Sequence, residues 1–209
     1  MSPFKIIFSF GVKFLATYFL VFLIAVTTGF DDKVRDFCAN STVRVYDNLI
    51  DEAIIQTKPI KEEHRNLLYQ IINKNKYEEI QKMLRAGDSN RMDIPTVGYK
   101  TNTNNGLLMP FIFLLSLIVA YPSSFRQKII PLVLGSLLLW IFVFIQIGCS
   151  IIYAIDNSEQ YFPSYELPNF LRYIVALVEK IFIEVSYIFT VLIWILVGVR
   201  LEDFKIKKR

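Results

Sequence analysis

Four long stretches of nearly pure hydrocarbon dominate this chain: Phe14–Phe30, Leu107–Tyr121, Ile129–Ile155 and Ile181–Val199. They contain no Lys, Arg or Asp, and Glu184 is their only carboxylate. A helix needs about 20 apolar residues to cross a bilayer, and water-soluble cores rarely hold such runs. The runs therefore predict an all-α integral membrane protein with four transmembrane helices. A small extracytoplasmic helical domain fills the longest gap, between the first helix and the second. A hydrophobic content of 54% over 209 residues fits that plan, with one polar insert of modest size.

Charge distribution orients the crossings. The polar insert from Asp31 to Asn105 holds 12 Lys/Arg and 12 Asp/Glu, so it is neutral. The excess positive charge sits beside the apolar runs, at Lys5, Lys13, Arg126, Lys128, Arg200, Lys205, Lys207, Lys208 and Arg209. Such a bias places both termini and the Ser123–Lys128 turn in the cytoplasm, and translocation of a long loop depends little on its charge. The lipid bilayer is thus one expected partner, and a nucleic acid is not expected. Phe14–Phe30 could be read as a secretory signal, but Ala25-Val26-Thr27-Thr28-Gly29-Phe30 is a poor small-residue cleavage site. An uncleaved anchor is the better reading.

The expected organisation follows. Residues 1–30 form an interfacial segment and the first crossing, and residues 31–105 the outer domain. The second and third crossings are 106–122 and 129–155, a tight antiparallel hairpin in which Gly135 and Ser136 permit close helix contact. An outer loop, 156–178, leads to the fourth crossing, 179–200, and a basic tail, 201–209. In the outer domain, the spacing of Val34, Phe37, Val45, Leu49 and Ala53 predicts a helix over Asp32–Gln56 that continues the first crossing outward. Thr57-Lys58-Pro59 starts a second helix, whose apolar stripe is Ile60, Leu67, Leu68, Ile71 and Ile72, with His64 near it. Asn75 with Glu78 suggests the cap of a third helix, which Ile80, Met83 and Leu84 line and Gly87 ends. Asp88–Asn105 reads as a polar loop.

Chemistry is sparse. Glu184 lies one helical turn from Lys180 on the same face, so the two read as an interfacial pair rather than a relay. Gln146 can hydrogen-bond across helices. Cys38 and Cys149 read as unpaired thiols. A cysteine nucleophile needs a base and a cation to steady developing charge. Cys149 and Arg172 are the residue types for such a site, but nothing in their spacing joins them. One histidine and no clustered acidic or cysteine partners predict neither a zinc site nor any other cofactor. Phosphate-cradling glycine loops, nucleophile elbows and two-histidine metal helices are absent from the sequence.

The stretch Asn105-Gly106-Leu107-Leu108-Met109-Pro110, an apolar helix, Ala120-Tyr121-Pro122, a short basic turn and a second long apolar helix resembles small membrane proteins that accompany exosortases. Exosortases are bacterial membrane cysteine transpeptidases that process envelope proteins carrying a C-terminal sorting signal. The resemblance covers Asn105–Ile155, about a quarter of the chain. Cys149-Ser150 and Asn169-Phe170-Leu171-Arg172 echo two parts of the enzymes' own pattern, but the gap between them is short and no histidine follows His64. The resemblance implies a bacterial inner-membrane accessory or assembly protein, without enzymatic activity, that meets a membrane or envelope protein partner. The expected contact residues are Ile60, Leu67, Leu68 and Ile71 on the outer domain, with Arg172, Lys180 and Glu184 at the outer interface. The alternatives are a membrane-bound cysteine transpeptidase using Cys149 and Arg172, and a membrane sensor acting through a separate partner.

Overall fold

The computed structural model describes residues 3–59, 66–86, 94–102 and 104–198, and the side chains of all of these except 3, 59, 104 and 180–185. In chain order the elements are α1 (Pro3–Thr27), α2 (Phe30–Leu49), β1 (Ala53–Pro59), β2 (Asn66–Asn73), α3 (Lys74–Arg85) and β3 (Thr96–Asn102). A π turn at Asn104–Leu108 then leads into α4 (Met109–Ala120), α5 (Phe125–Asp156) and α6 (Asn169–Gly198). The fold is mostly helical, and α1 and α5 are each long and apolar enough to cross a membrane. The chain divides into two compact units. One comprises residues Met1–Asp31, Asn104–Val143 and Ile183–Arg209, the other Asp32–Thr103 and Phe144–Phe182.

In the first unit, apolar side chains lie on both the inner and the outer surfaces of the helices. Phe19, Leu20 and Leu23 of α1, and Ile130, Val133 and Leu137 of α5, are exposed. Inside, Leu114, Ile118, Leu139, Val143 and Ile193 are buried. Aromatic edges knit the helices together. Phe14 meets Phe113 at 5.3 Å and 81°, Phe113 meets Tyr187 at 5.9 Å, and Phe142 stacks on Phe189 at 3.8 Å. Gly135 lies where α4, α5 and α6 converge. A β-carbon there would sit 3.2 Å from Leu114 Cδ2 and 3.5 Å from side-chain atoms of Ile193 and Val197, the close approach expected of a small residue. The buried hydroxyls of Ser116 and Thr190 donate to the carbonyls of Ile112 and Ser186 one turn back, so neither presents an unpaired group to hydrocarbon. Helix α1 does not run on into α2. Thr28 and Gly29 separate them, and Gly29 takes φ +63°, a left-handed conformation suited to a residue without a β-carbon.

The second unit corrects the all-α expectation. Its polar insert contains a three-stranded antiparallel sheet in the order β1-β2-β3. Ala53 pairs with Asn73 and Pro59 with Leu67 on one side of β2, and Ile72 with Thr96 and Asn66 with Asn102 on the other. The predicted helix over Asp32–Gln56 stops at Leu49, and Ile55 N–H, already in β1, donates to Asp47 Oδ1 at 3.0 Å. The predicted stripe of Leu67, Leu68, Ile71 and Ile72 is strand. Pairs of adjacent apolar residues four apart fit either period, and the Ile- and Tyr-rich composition, together with pairing on both edges, favours the sheet. The loop predicted over Asp88–Asn105 contributes β3. Helix α3 was expected and is present, but its cap is Asn73, two residues before the expected Asn75, and Asn73 Oδ1 accepts from Lys76 N–H at 3.1 Å. The predicted stop at Gly87 lies outside the described residues.

Residues 144–156 of α5 and 169–182 of α6 belong to this second unit. Tyr46 of α2 stacks on Phe144 at 4.9 Å and 20°, and its hydroxyl donates to the Phe144 carbonyl at 2.8 Å. The ring occupies the place of a side chain at Gly148, since a β-carbon on Gly148 would fall 2.1 Å from the Tyr46 hydroxyl oxygen.

Candidate functional site

Helix α5 ends at Asp156, and its last turn is satisfied locally. Asn157 Nδ2 donates to the Tyr153 carbonyl at 2.9 Å and Ser158 Oγ to the Ala154 carbonyl at 2.7 Å. The chain then folds back through Tyr161 N–H and Phe162 N–H, both of which donate to the Ser158 carbonyl. Phe162 is buried and anchors the loop. From the other side, Asn73 Nδ2 donates to the Tyr161 carbonyl at 2.9 Å and Lys76 Nζ to the Gln160 carbonyl at 2.9 Å. The Lys76 ammonium also lies 5.8 Å from the centre of the Tyr161 ring. The β2–α3 junction thus fixes a loop that is polar and otherwise exposed.

Helix α6 begins after Pro168, and Arg172 in its first turn reaches back to Asp156. Arg172 Nε meets Asp156 Oδ2 at 2.7 Å and Nη2 meets Oδ1 at 3.0 Å, a two-point contact. The Asp156 side chain is 4% exposed and that of Arg172 48%. A carboxylate at a helix C-terminus faces the negative end of the helix dipole, so the guanidinium offsets both burial and dipole. Asp156 in turn holds the Arg172 pKa above its ordinary value, through the hydrogen bonds first and the charge second.

Around this pair lie two adjoining concavities of about 440 and 700 Å³ that share Asp156, Glu159, Gln160 and Arg172. Tyr165, Glu166 and Asn169 complete the wall. Burial, then the charges of Asp156 and Glu52, raise the Tyr165 pKa, so its hydroxyl stays protonated and can donate. Three carboxylates face one guanidinium that is already paired. The cleft therefore suits a cationic or hydrogen-bond-donating group and disfavours an anion. Among the described residues no group of His, Cys, Asp and Glu is arranged to hold a metal ion.

The residues singled out from sequence separate. Arg172 lines the cleft. Cys149 lies on α5 seven residues before Asp156, about 10 Å along the helix axis, and makes no hydrogen bond or ion pair among the described residues. The structure does not join Cys149 and Arg172 into a nucleophile and its cation. Leu67 and Ile71, expected on a contact stripe, point into the core of the sheet with Tyr69, while Leu68 takes the other face. Alternation along a strand, which a helical reading cannot supply, explains the split. Ile60 and His64 lie outside the described residues, as do the side chains of Lys180 and Glu184. Asp156, Glu159, Tyr165 and Glu166 were missed, although an aspartate closing a long apolar helix and an arginine shortly after it were a readable signal.

A second polar cluster lies in the interior of the same unit. Cys38 and Thr42 of α2 meet Tyr69 of β2, and Tyr69 stacks on Tyr99 at 6.2 Å. Burial pushes the Cys38 thiol up to about 11 and raises Tyr69 and Tyr99 as well. Cys38, Thr42 and Tyr69 are neutral and closed to solvent, with Tyr99 half-buried beside them, which is core chemistry rather than a reactive site. No family model, curated protein or solved structure matches this chain.

Proposed function

We propose that this chain is a non-enzymatic accessory or assembly protein of the bacterial envelope, crossing the inner membrane four times with both termini in the cytoplasm. Its working surface is the second unit, held outside, and its candidate partner is an exosortase-like sorting system. The bare hydrocarbon on α1 and α5 supports the membrane reading, because so large an exposed apolar surface is unfavourable in water. The length of α5 supports the division of labour. Its 32 residues extend about 48 Å against a hydrocarbon core of ~30 Å, so about three turns project beyond it. Residues 144–156, which share a unit with the polar insert, would supply that excess and shorten the third crossing from the 129–155 expected from sequence.

The observation that carries the binding reading is the commitment of Arg172. The cation that a cysteine enzyme would direct at developing negative charge is spent on Asp156, and the surrounding cleft adds Glu159 and Glu166. Such a surface favours holding a basic or donor-rich segment of another protein over stabilising an oxyanion. Removing the whole insert would strip the sheet from the outer halves of α5 and α6, so charge reversal is the cleaner test. Glu159→Lys with Glu166→Lys should abolish co-purification of envelope partners from native membranes while leaving insertion intact. Unchanged co-purification, or a cellular activity lost in Cys149→Ser, would refute the reading.

A further inference from the structure

In the first unit, α1 and the end of α4 frame a small crevice of about 190 Å³ lined by Ile6, Ser9, Phe10, Lys13, Ala120 and Pro122. It would take the equivalent of about six water molecules at ~30 Å³ each, enough for a short length of acyl chain and too little for a whole lipid. Phe10 is backed by Trp194 at 6.0 Å. Lys13 stands at the edge. Lys128, from the start of α5, lies within electrostatic range of it and donates to the Val119 carbonyl, next to Ala120. Two ammonium groups thus repel each other beside an apolar slot, and Lys13 has no ion pair among the described residues. Among the side chains of this unit that are described, Asp31 carries the one carboxylate. Asp31 is eighteen residues along the chain from Lys13 and lies beyond the end of α1.

We propose that this crevice is a binding site for one anionic phospholipid, whose phosphate bridges Lys13 and Lys128 while the start of an acyl chain enters the slot formed by Ile6, Phe10, Ala120 and Pro122. The inference rests on the membrane reading above. Basic pockets between membrane helices on the cytoplasmic side attract anionic headgroups, and an anion between the two lysines removes their mutual repulsion. The apolar slot makes this a lipid site rather than one for free phosphate, which would gain nothing from it.

Native mass spectrometry of the full chain in detergent, titrated with phosphatidylglycerol or with phosphatidylcholine of the same chain length, tests the site. One phosphatidylglycerol should be retained in preference. Lys13→Gln and Lys128→Gln should each weaken it about five-fold, the effect of one basic residue near an anionic surface. Ser9→Leu, which fills the slot, should weaken it as well. Arg126→Gln, an exposed cation that does not line the crevice, should leave it unchanged. Equal loss in Arg126→Gln would show a diffuse charge effect, and displacement by inorganic phosphate would show a free-anion site; either overturns the proposal. A chain that needs detergent but binds both lipids alike overturns the lipid site alone. A chain that stays in solution without detergent removes the membrane reading and the lipid site together.

Discussion

The Tyr46 ring lies on the backbone of Gly148, where a β-carbon would fall 2.1 Å from its hydroxyl oxygen and 2.3 Å from Cζ. This contact joins α2 of the polar insert to α5, and it depends on Gly148 having no side chain. Gly148→Ala should displace the ring and cost about 1–3 kcal/mol through overpacking. Tyr46→Phe cannot relieve the clash, because the ring carbons collide too. Tyr46→Ala should make the Gly148→Ala cost largely disappear. Thermal melts of the four members of this double-mutant cycle give the coupling.

The Asp156–Arg172 pair makes an asymmetric prediction. Arg172→Gln leaves a nearly buried carboxylate unpaired at a helix C-terminus, whereas Asp156→Asn leaves a half-exposed guanidinium that water can solvate. The melting temperature should fall more in Arg172→Gln than in Asp156→Asn, and the double variant should recover part of the loss. Equal effects of the two single variants would mean that the pair does not hold α5 and α6 together.

Leu67, Leu68 and Ile71 distinguish strand from helix. On a helix all three would share one face, while on β2 Leu67 and Ile71 face the core and Leu68 faces away. Ile71→Ala should cost about 2–5 kcal/mol, the range for truncating a buried aliphatic side chain. Leu68→Ala should cost clearly less. Chemical denaturation in detergent reads the difference, and similar costs at 68 and 71 would contradict the sheet.

Alkaline stability follows from Cys38. Its thiol is raised from 9.0 to about 11 in the folded chain, so between those values the unfolded chain has released a proton that the folded chain retains. Stability is therefore full below about pH 9 and declines as pH rises toward 11. Tyr69 and Tyr99, also raised by burial, extend the decline upward. Cys38→Ala should flatten the part of the decline between pH 9 and 11. At neutral pH the native chain should leave Cys38 unmodified by a thiol reagent until denaturant is added.

The long apolar segments were legible because a membrane-scale helix needs only composition and length. The elements α1 and α5 follow directly from it, and Gly135 marks close packing as its size suggests. The sheet was not legible. Leu67-Leu68 and Ile71-Ile72 satisfy helical and strand spacing alike, and β3, with Thr96, Gly98, Lys100 and Asn102, looks like a loop until β2 pairs with it. At the cleft, Arg172 stood out as the lone Lys or Arg of the 156–178 segment. Its partner did not, because a contact across a sixteen-residue separation depends on how the loop returns, and the Asn73 and Lys76 bonds that shape that return come from a distant part of the chain.

The role proposed for the Asp156–Arg172 cleft is to hold another protein. A photo-crosslinking residue placed at Glu159 or Glu166 in native membranes tests this most directly, with Glu78 of α3 as the control position. Capture of one discrete envelope protein from 159 and 166, with nothing from 78, is the predicted result. Capture of lipid alone, or the same diffuse pattern from all three positions, would contradict it.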